Sequence, residues 1–272
     1  MARNGPVRVL SFGAGVQSST LLEMALRGDL EPIDHVVFAD TGWEPASVYE
    51  NLEMYRPRCE SAGIGFHVVS KGNIRSDALD PSTGFASMPV HATGKDGSGP
   101  VLGRRQCTSE YKLGPLLKKQ RELAGLKPRG RSTAHLVTSI IGISLDEISR
   151  MRDGAFPWIR NEYPLVDMRM TRQSCVAYWQ KLALPSPPRS ACIGCPYHSD
   201  HEWRRLTPDE FEDACQFDEA IRQPGAVADR LYEGQAYLHA KRIPLREVDL
   251  TTEEDRGQGR LFDSECLGMC GL

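Results

Sequence analysis

"VRVLSFGAGVQSSTLLEMALRGD", residues 7–29, decides how the rest of the chain is read. An apolar run breaks into Ser-Phe-Gly-Ala-Gly-Val-Gln-Ser-Ser-Thr and then resumes with helical spacing. The pattern predicts a buried strand over 7–12 and a helix over 18–26, joined by a turn of small and hydroxyl-bearing residues. Glycines let a backbone approach a ligand closely, and successive amides can form an anion-binding nest. The helix that follows adds the positive end of its dipole. Ser11, Ser18, Ser19 and Thr20 supply hydroxyl donors. This chemistry suits phosphate, although a turn built for packing alone has the same composition. The stretch is neither the Gly-x-Gly-x-x-Gly dinucleotide fingerprint nor the lysine-bearing loop of kinases and ATPases.

Outward from this turn, short apolar runs at 33–40 and 65–70 read as strands, and 44–63 as a helix with Val48, Leu52 and Tyr55 on one face. A helix is expected over 109–123, a strand within 135–144, and a helix over 171–184 opened by a Thr cap. Strands alternating with helices predict an α/β fold: a twisted, mostly parallel sheet with helices on both faces. Residues 71–103, rich in Gly, Pro, Ser and Asp, lack periodicity and are expected to form a flap over the site or a disordered loop. After "PSPPRSACIGCP" the chain turns polar and helical to about residue 223, then loop-rich. The expected division is a nucleotide-binding α/β domain over 1–183 and a helical, loop-rich extension over 184–272.

A formal net charge of −3 gives no global pull toward nucleic acid or anionic membrane. Basic pairs at Arg104-Arg105, Lys118-Lys119 and Arg204-Arg205 leave a tRNA or DNA surface open, but scattered pairs are more often solvated helix faces. No signal-peptide pattern and no long apolar run is present, which points to a cytoplasmic protein without a membrane partner.

Eight cysteines in such a compartment point to metal or thiol chemistry where they cluster. Cys59 and Cys215 read as core hydrophobes, and Cys175 as a helix-face residue with a weaker claim as a ligand. Cys192-Ile-Gly-Cys195 can hold one metal, shuttle electrons as a dithiol, or be buried. Cys107 lies among Arg104, Arg105 and Lys112, cations expected to lower its pKa. Zinc, with His198 or His201 completing the ligands, is the alternative metal.

Four segments, in order, resemble the phosphoadenosine phosphosulfate (PAPS) reductase-like branch of the PP-loop superfamily of adenine-nucleotide alpha-hydrolase-like proteins. "SFGAGVQSS" at 11–19 resembles its PP-loop, and "ADTGWEPASVY" at 39–49 its Asp-Thr-Gly segment. "RRQCTSEYKLGPL" at 104–116 and "SACIGCP" at 190–196 resemble its Cys-Lys-Pro-Leu and Cys-x-x-Cys segments. The resemblance implies that Ser11, Gly13, Gly15, Ser18 and Ser19 hold phosphate or sulfate, with Gln17 also at the nucleotide. Asp40, Thr41 and Gly42 would line the adenosine side, with Gly142 and Lys112 also at the nucleotide, either ATP or a sulfonucleotide such as PAPS. Gln17 stands where many ATP-cleaving members carry Asp, a sulfonucleotide-like trait.

The resemblance also implies a [4Fe–4S] cluster on Cys107, Cys192 and Cys195. Cys107-Thr108 replaces the family's Cys-Cys pair, so one ligand is missing unless Cys270 supplies it. Glu265-Cys266 resembles the family's C-terminal nucleophile, making Cys266 the candidate catalytic residue. At 141–152, Asp146 and Glu147 replace basic residues that grip the sulfate in the family; Arg150 and Arg152 on the next turn are the candidate substitutes, Mg²⁺ or a cationic group is one occupant for the acids, and a helix start is the plainer reading. Three functions follow: a thiol-dependent sulfonucleotide reductase, an ATP-dependent sulfur transferase fed by a sulfur donor protein, or an inactive or zinc-stabilised partner protein. A homo-oligomer is compatible with each.

Overall fold

The computed structural model describes residues 5–83, 88–93, 100–103, 105–224, 226, 235–251 and 255. The five-residue strand β1 (Val7–Ser11) is followed by α1 (Val16–Arg27), β2 (His35–Asp40), α2 (Ala46–Ser61) and β3 (Gly65–Ser70). Helix α3 (Ile74–Leu79) and a two-stranded antiparallel ribbon, β4 (His91–Thr93) with β5 (Pro100–Leu102), come next. A π-helical turn, Thr108–Leu113, runs into α4 (Gly114–Leu123), then β6 (Val137–Ile141), a 3-10 turn at Leu145–Arg150, and β7 (Ile159–Glu162). The remaining helices are α5 (Pro164–Asp167), α6 (Arg172–Lys181), α7 (Asp200–Trp203) and α8 (Pro208–Ala220).

The five long-range strands pair in parallel in the order β3-β2-β1-β6-β7. Successive side chains alternate between the faces, as strand geometry requires. Leu10, Val36, Phe38 and Ile140 pack with α1, α2 and α6, through Leu21, Leu52, Tyr55 and Trp179. Val9, Val37, Ala39 and Val137 pack on the opposite face, against Leu116 of α4. Both faces are therefore covered, and the expected α/β sheet with its C-terminal helical and loop-rich extension is observed.

A third apolar cluster stands at the carboxyl end of β2. Trp43, Ile74 and Tyr111 meet Ile193, Trp203, Phe217 and Leu245 there. Trp43 lies 4.7 Å from the Phe217 ring and donates Nε1–H to Asp213 at 2.6 Å. The segment after residue 184 is thus seated on the strand ends, where ligands of open parallel sheets bind.

Residues 71–103 depart from the expected patternless loop. Asn73 caps α3 by accepting the Arg75 and Ser76 amides, and Ile74 is buried in the third cluster. Residues 84–87, 94–99 and Arg104 lie outside the described residues. Helix α6 begins at the Thr cap read from sequence: Thr171 accepts the Ser174 amide, and Ser174 accepts the Thr171 amide in return. Among the described residues no helix is long and apolar enough to cross a membrane.

Candidate functional site

The β1–α1 turn is open at its helix end. Gly15 is the N-cap of α1, no side chain caps it, and no acid stands in the first turn. Ala14 has φ +56°, a left-handed conformation that strains a non-glycine residue. Asn51 of α2 holds it there by donating Nδ2–H to the Ala14 carbonyl at 2.9 Å and to Ser19 Oγ at 3.2 Å. Gly142, after β6, lies against the helix start so closely that a Cβ on it would be 2.9 Å from the Ser18 nitrogen.

Several hydroxyls assigned to this turn are engaged within the protein. Ser11 Oγ faces Ser139 Oγ at 3.4 Å, and Ser139 accepts from Gln120. Ser19 accepts from Asn51, while Thr20 donates to the Val16 carbonyl and accepts from Trp179 Nε1. Ser18 donates to the Gly15 carbonyl at 3.2 Å. Residues 184–191 form a strap after α6 whose Pro188 and Ser190 lie against the turn: a Cβ on Gly13 would be 3.4 Å from Ser190 Oγ, and one on Gly15 would be 3.2 Å from Ser190 Cβ and 3.8 Å from the Pro188 carbonyl.

The strap leads directly to the thiols. Cys107, Cys192 and Cys195 line one small cavity of about 40 Å³, together with Thr41, Arg105 and Lys112. Cys107 is the N-cap of the π-helical turn and Lys112 lies within it, so the wider turn that replaces the expected start of an ordinary helix sets the spacing between them. Thr41 Oγ1 is 3.2 Å from Cys192 Sγ and donates to Glu44 Oε1 at 3.0 Å. Glu44 is buried, and its Oε1 lies 3.8 Å from Lys112 Nζ. Burial alone would lower the Lys112 pKa, but Glu44 and the three thiols hold it above its ordinary value.

Burial raises the Cys192 pKa well above its ordinary value, with Glu44 adding to the rise and Lys112 opposing it. Cys107 is corrected relative to its sequence reading: burial outweighs Arg105 and Lys112 and pushes its pKa up. The three sulfurs are gathered in one sheltered cavity. As donors they fit a thiophilic metal group by their chemistry, but among the described residues no three His, Cys, Asp or Glu side chains converge to hold a metal ion. Cys266 and Cys270 lie outside the described residues.

His198 and His201 do not line the thiol cavity. They face a separate cavity of about 720 Å³ behind the strap, whose wall includes Arg58, Arg172 and Arg205. Burial pushes the His198 pKa down to about 3, and its ring stands edge-on to Trp203 at 4.6 Å. Cys59 and Cys175 are fully buried in the α1–α2–α6 core and Cys215 in the third cluster, and none of them lines the thiol cavity.

At the end of β2, Asp40 Oδ1 accepts the Gly42 amide at 2.7 Å and the Tyr49 hydroxyl at 3.0 Å. Gly42 has φ +73° and packs against Asn73, whose Nδ2–H reaches the Gly42 carbonyl. Glycine is required there for both reasons.

The acids after β6 are occupied. Asp146 accepts the Arg172 amide at the start of α6, and Glu147 pairs with Arg150 at 2.7 Å. Glu147 also accepts from Gln17 Nε2 at 3.3 Å, while Gln17 Oε1 accepts from Arg172 at 3.4 Å. Arg152 turns to the Ser149 and Met151 carbonyls. Arg172 is thus a cation set beside the start of α1, and sequence reasoning passed over it because it sought a basic residue within 141–152. Glu44, Trp43 and Ser190 were also passed over; only their proximity to the recognised motifs marked them.

No protein-family model matches the chain, and no curated protein matches it. Among solved structures it is similar to phosphoadenylyl-sulfate (PAPS) reductase from Candida auris, determined as a phosphate complex. The likeness is distant: 13% identity over 68% of this chain and 76% of that one, with a TM-score of 0.43.

Proposed function

We propose that this chain is an adenine-nucleotide-binding enzyme of sulfur chemistry that reduces a sulfonucleotide or a closely related substrate. The observation that carries the reading is the 3.2 Å approach of Thr41 Oγ1 to Cys192 Sγ, which sets the nucleotide-side segment against a cavity of three thiols. The uncapped start of α1 and Arg172 offer positive potential to the anionic end of the nucleotide. Asp40, Thr41 and Gly42 would face the adenosine, and Lys112 would stand between the anion and the thiols. Cys107, Cys192 and Cys195 would hold a [4Fe–4S] cluster, with Cys270 as fourth ligand. Such a cluster, when bound, supplies a compact redox-active charge next to the anion site.

In this reading the Cys266 thiolate attacks the sulfonate sulfur, and the bond from that sulfur to the nucleotide phosphate oxygen breaks. The nucleotide leaves with the bonding electron pair, and a cysteine S-sulfonate remains. An external thiol reductant then attacks the cysteine sulfur, forming a disulfide and releasing sulfite. The test is sulfite formation from PAPS with a thiol reductant, using anaerobically purified, iron-replete protein. Cys266→Ser is expected to abolish turnover, and undiminished sulfite formation in that variant refutes the assignment.

An ATP-dependent sulfur transferase is the second reading, favoured by the acid facing the anion turn: Glu147 bonds Gln17 at 3.3 Å. Pyrophosphate release from ATP on adding a thiolation acceptor, without sulfite formation from PAPS, selects it over the first.

A further inference from the structure

The hydroxyls nearest the β1–α1 turn are unequally free to donate. Ser18 and Thr20 spend their hydrogens on backbone carbonyls, Ser11 is paired with Ser139, and Ser19 accepts from Asn51 and is fully buried. Ser190 Oγ makes no hydrogen bond among the described residues. It lies on the face of Gly13 that a side chain would occupy: a Cβ there would be 3.4 Å from Ser190 Oγ and 3.8 Å from Ser18 Oγ. Because Gly13 has no side chain, nothing of its own stands between its backbone and these two hydroxyls, beside the uncapped start of α1. An anionic oxygen needs donors directed at it, and an uncommitted hydroxyl supplies one without breaking an existing bond.

We propose that Ser190 completes the anion site, its hydroxyl donating to the phosphate or sulfate group held at the turn. The inference deepens the nucleotide-binding reading above and rests on it. The anion is then gripped from two parts of the chain about 175 residues apart, the turn after β1 and the strap before Cys192. Ser190 is two residues from Cys192, so the strap that meets the anion also carries one wall of the thiol cavity. On its other side, strap residues 184–189 line the 720 Å³ cavity, which leaves room for the segment to adjust as an anion enters.

The test compares Ser190→Ala with the unaltered full-length chain by calorimetry, using ATP and PAPS as anionic probes and adenosine as the probe without an anion. Ser190→Ala is expected to weaken whichever anionic nucleotide binds by about tenfold. Adenosine affinity and the thermal midpoint are expected to stay unchanged. Equal affinity of both chains for the anionic probe overturns the proposal, as does an equal loss for adenosine, which marks a purely structural role. Ser18→Ala separates the two levels of the argument. A loss there with none in Ser190→Ala leaves the nucleotide site standing and removes Ser190 from it, whereas no binding of either nucleotide by the unaltered chain overturns both.

Discussion

Thr41 at the end of β2 and Cys192 after the strap are 3.2 Å apart, hydroxyl to thiol, although 151 residues separate them in sequence. The contact makes the strand end and the Cys-x-x-Cys segment a single site. It also brings a buried carboxylate with it, since Glu44 Oε1 accepts the Thr41 hydroxyl and lies 3.7 Å from the same sulfur.

If the three gathered thiols hold a cluster, removing either member of the Cys-x-x-Cys removes the metal. Anaerobically purified protein is expected to be brown and to contain iron and labile sulfide. Cys192→Ala and Cys195→Ala are each expected to lose both, while Cys215→Ala, buried in the third apolar cluster, keeps them. Iron retained in both of the first two variants defeats the cluster assignment.

Lys112 and Glu44 form a sheltered pair, 3.8 Å apart, with the Lys side chain 17% exposed and the Glu side chain 0%. Lys112→Met strands the carboxylate without its cation, and is expected to cost about 3 kcal/mol of stability in urea unfolding. Adding Glu44→Gln removes the uncompensated charge and is expected to restore more than half of the loss. A double variant no more stable than Lys112→Met shows that the pair is not coupled.

Gly194, inside the Cys-x-x-Cys turn, is fixed by an aromatic neighbour. A Cβ there would lie 2.1 Å from the Trp43 indole, and the Ile193 amide donates to the Trp43 carbonyl at 2.9 Å. Gly194→Ala therefore forces either the indole or the cysteine turn to shift, at a cost of about 2 kcal/mol. The expected signs are a lower unfolding midpoint and faster alkylation of the cysteines; no change in either means that Trp43 does not set the turn.

The sheet was legible because its strands are short apolar runs bounded by glycine and polar residues, and because α2 carries Val48, Leu52 and Tyr55 on one buried face. β7 was missed: "IRNE" is a four-residue edge strand with three polar residues, so neither length nor alternation marks it. Residues 71–103 concealed α3 because Ile74 is buried by Trp43 and the segment after 193, a tertiary contact with no local periodicity. The same cause hid Ser190 and Arg172. Their places come from a strap and a helix folded back over β1, and spacing along the chain holds no record of that. For Cys107, sequence showed the neighbouring cations but not the burial that outweighs them.

Glu23 gives a pH dependence independent of the site. This buried carboxylate of α1 accepts from Arg27 at 2.7 Å and from Arg58 of α2 at 2.9 Å, with Tyr55 also donating at 3.3 Å. Burial by itself would raise its pKa, but the two guanidinium groups prevail and hold it below the ordinary value of 4.5. A carboxylate with a depressed pKa in the folded state stabilises the fold above its unfolded pKa, and that contribution fades as pH falls through the folded value. Between pH 7 and pH 3, the unaltered chain is thus expected to lose stability more steeply than Glu23→Gln, which has no proton to gain at this position. Urea unfolding at a series of pH values reads the difference; parallel curves for the two chains show that the α1–α2 ion pairs do not contribute to the acid sensitivity.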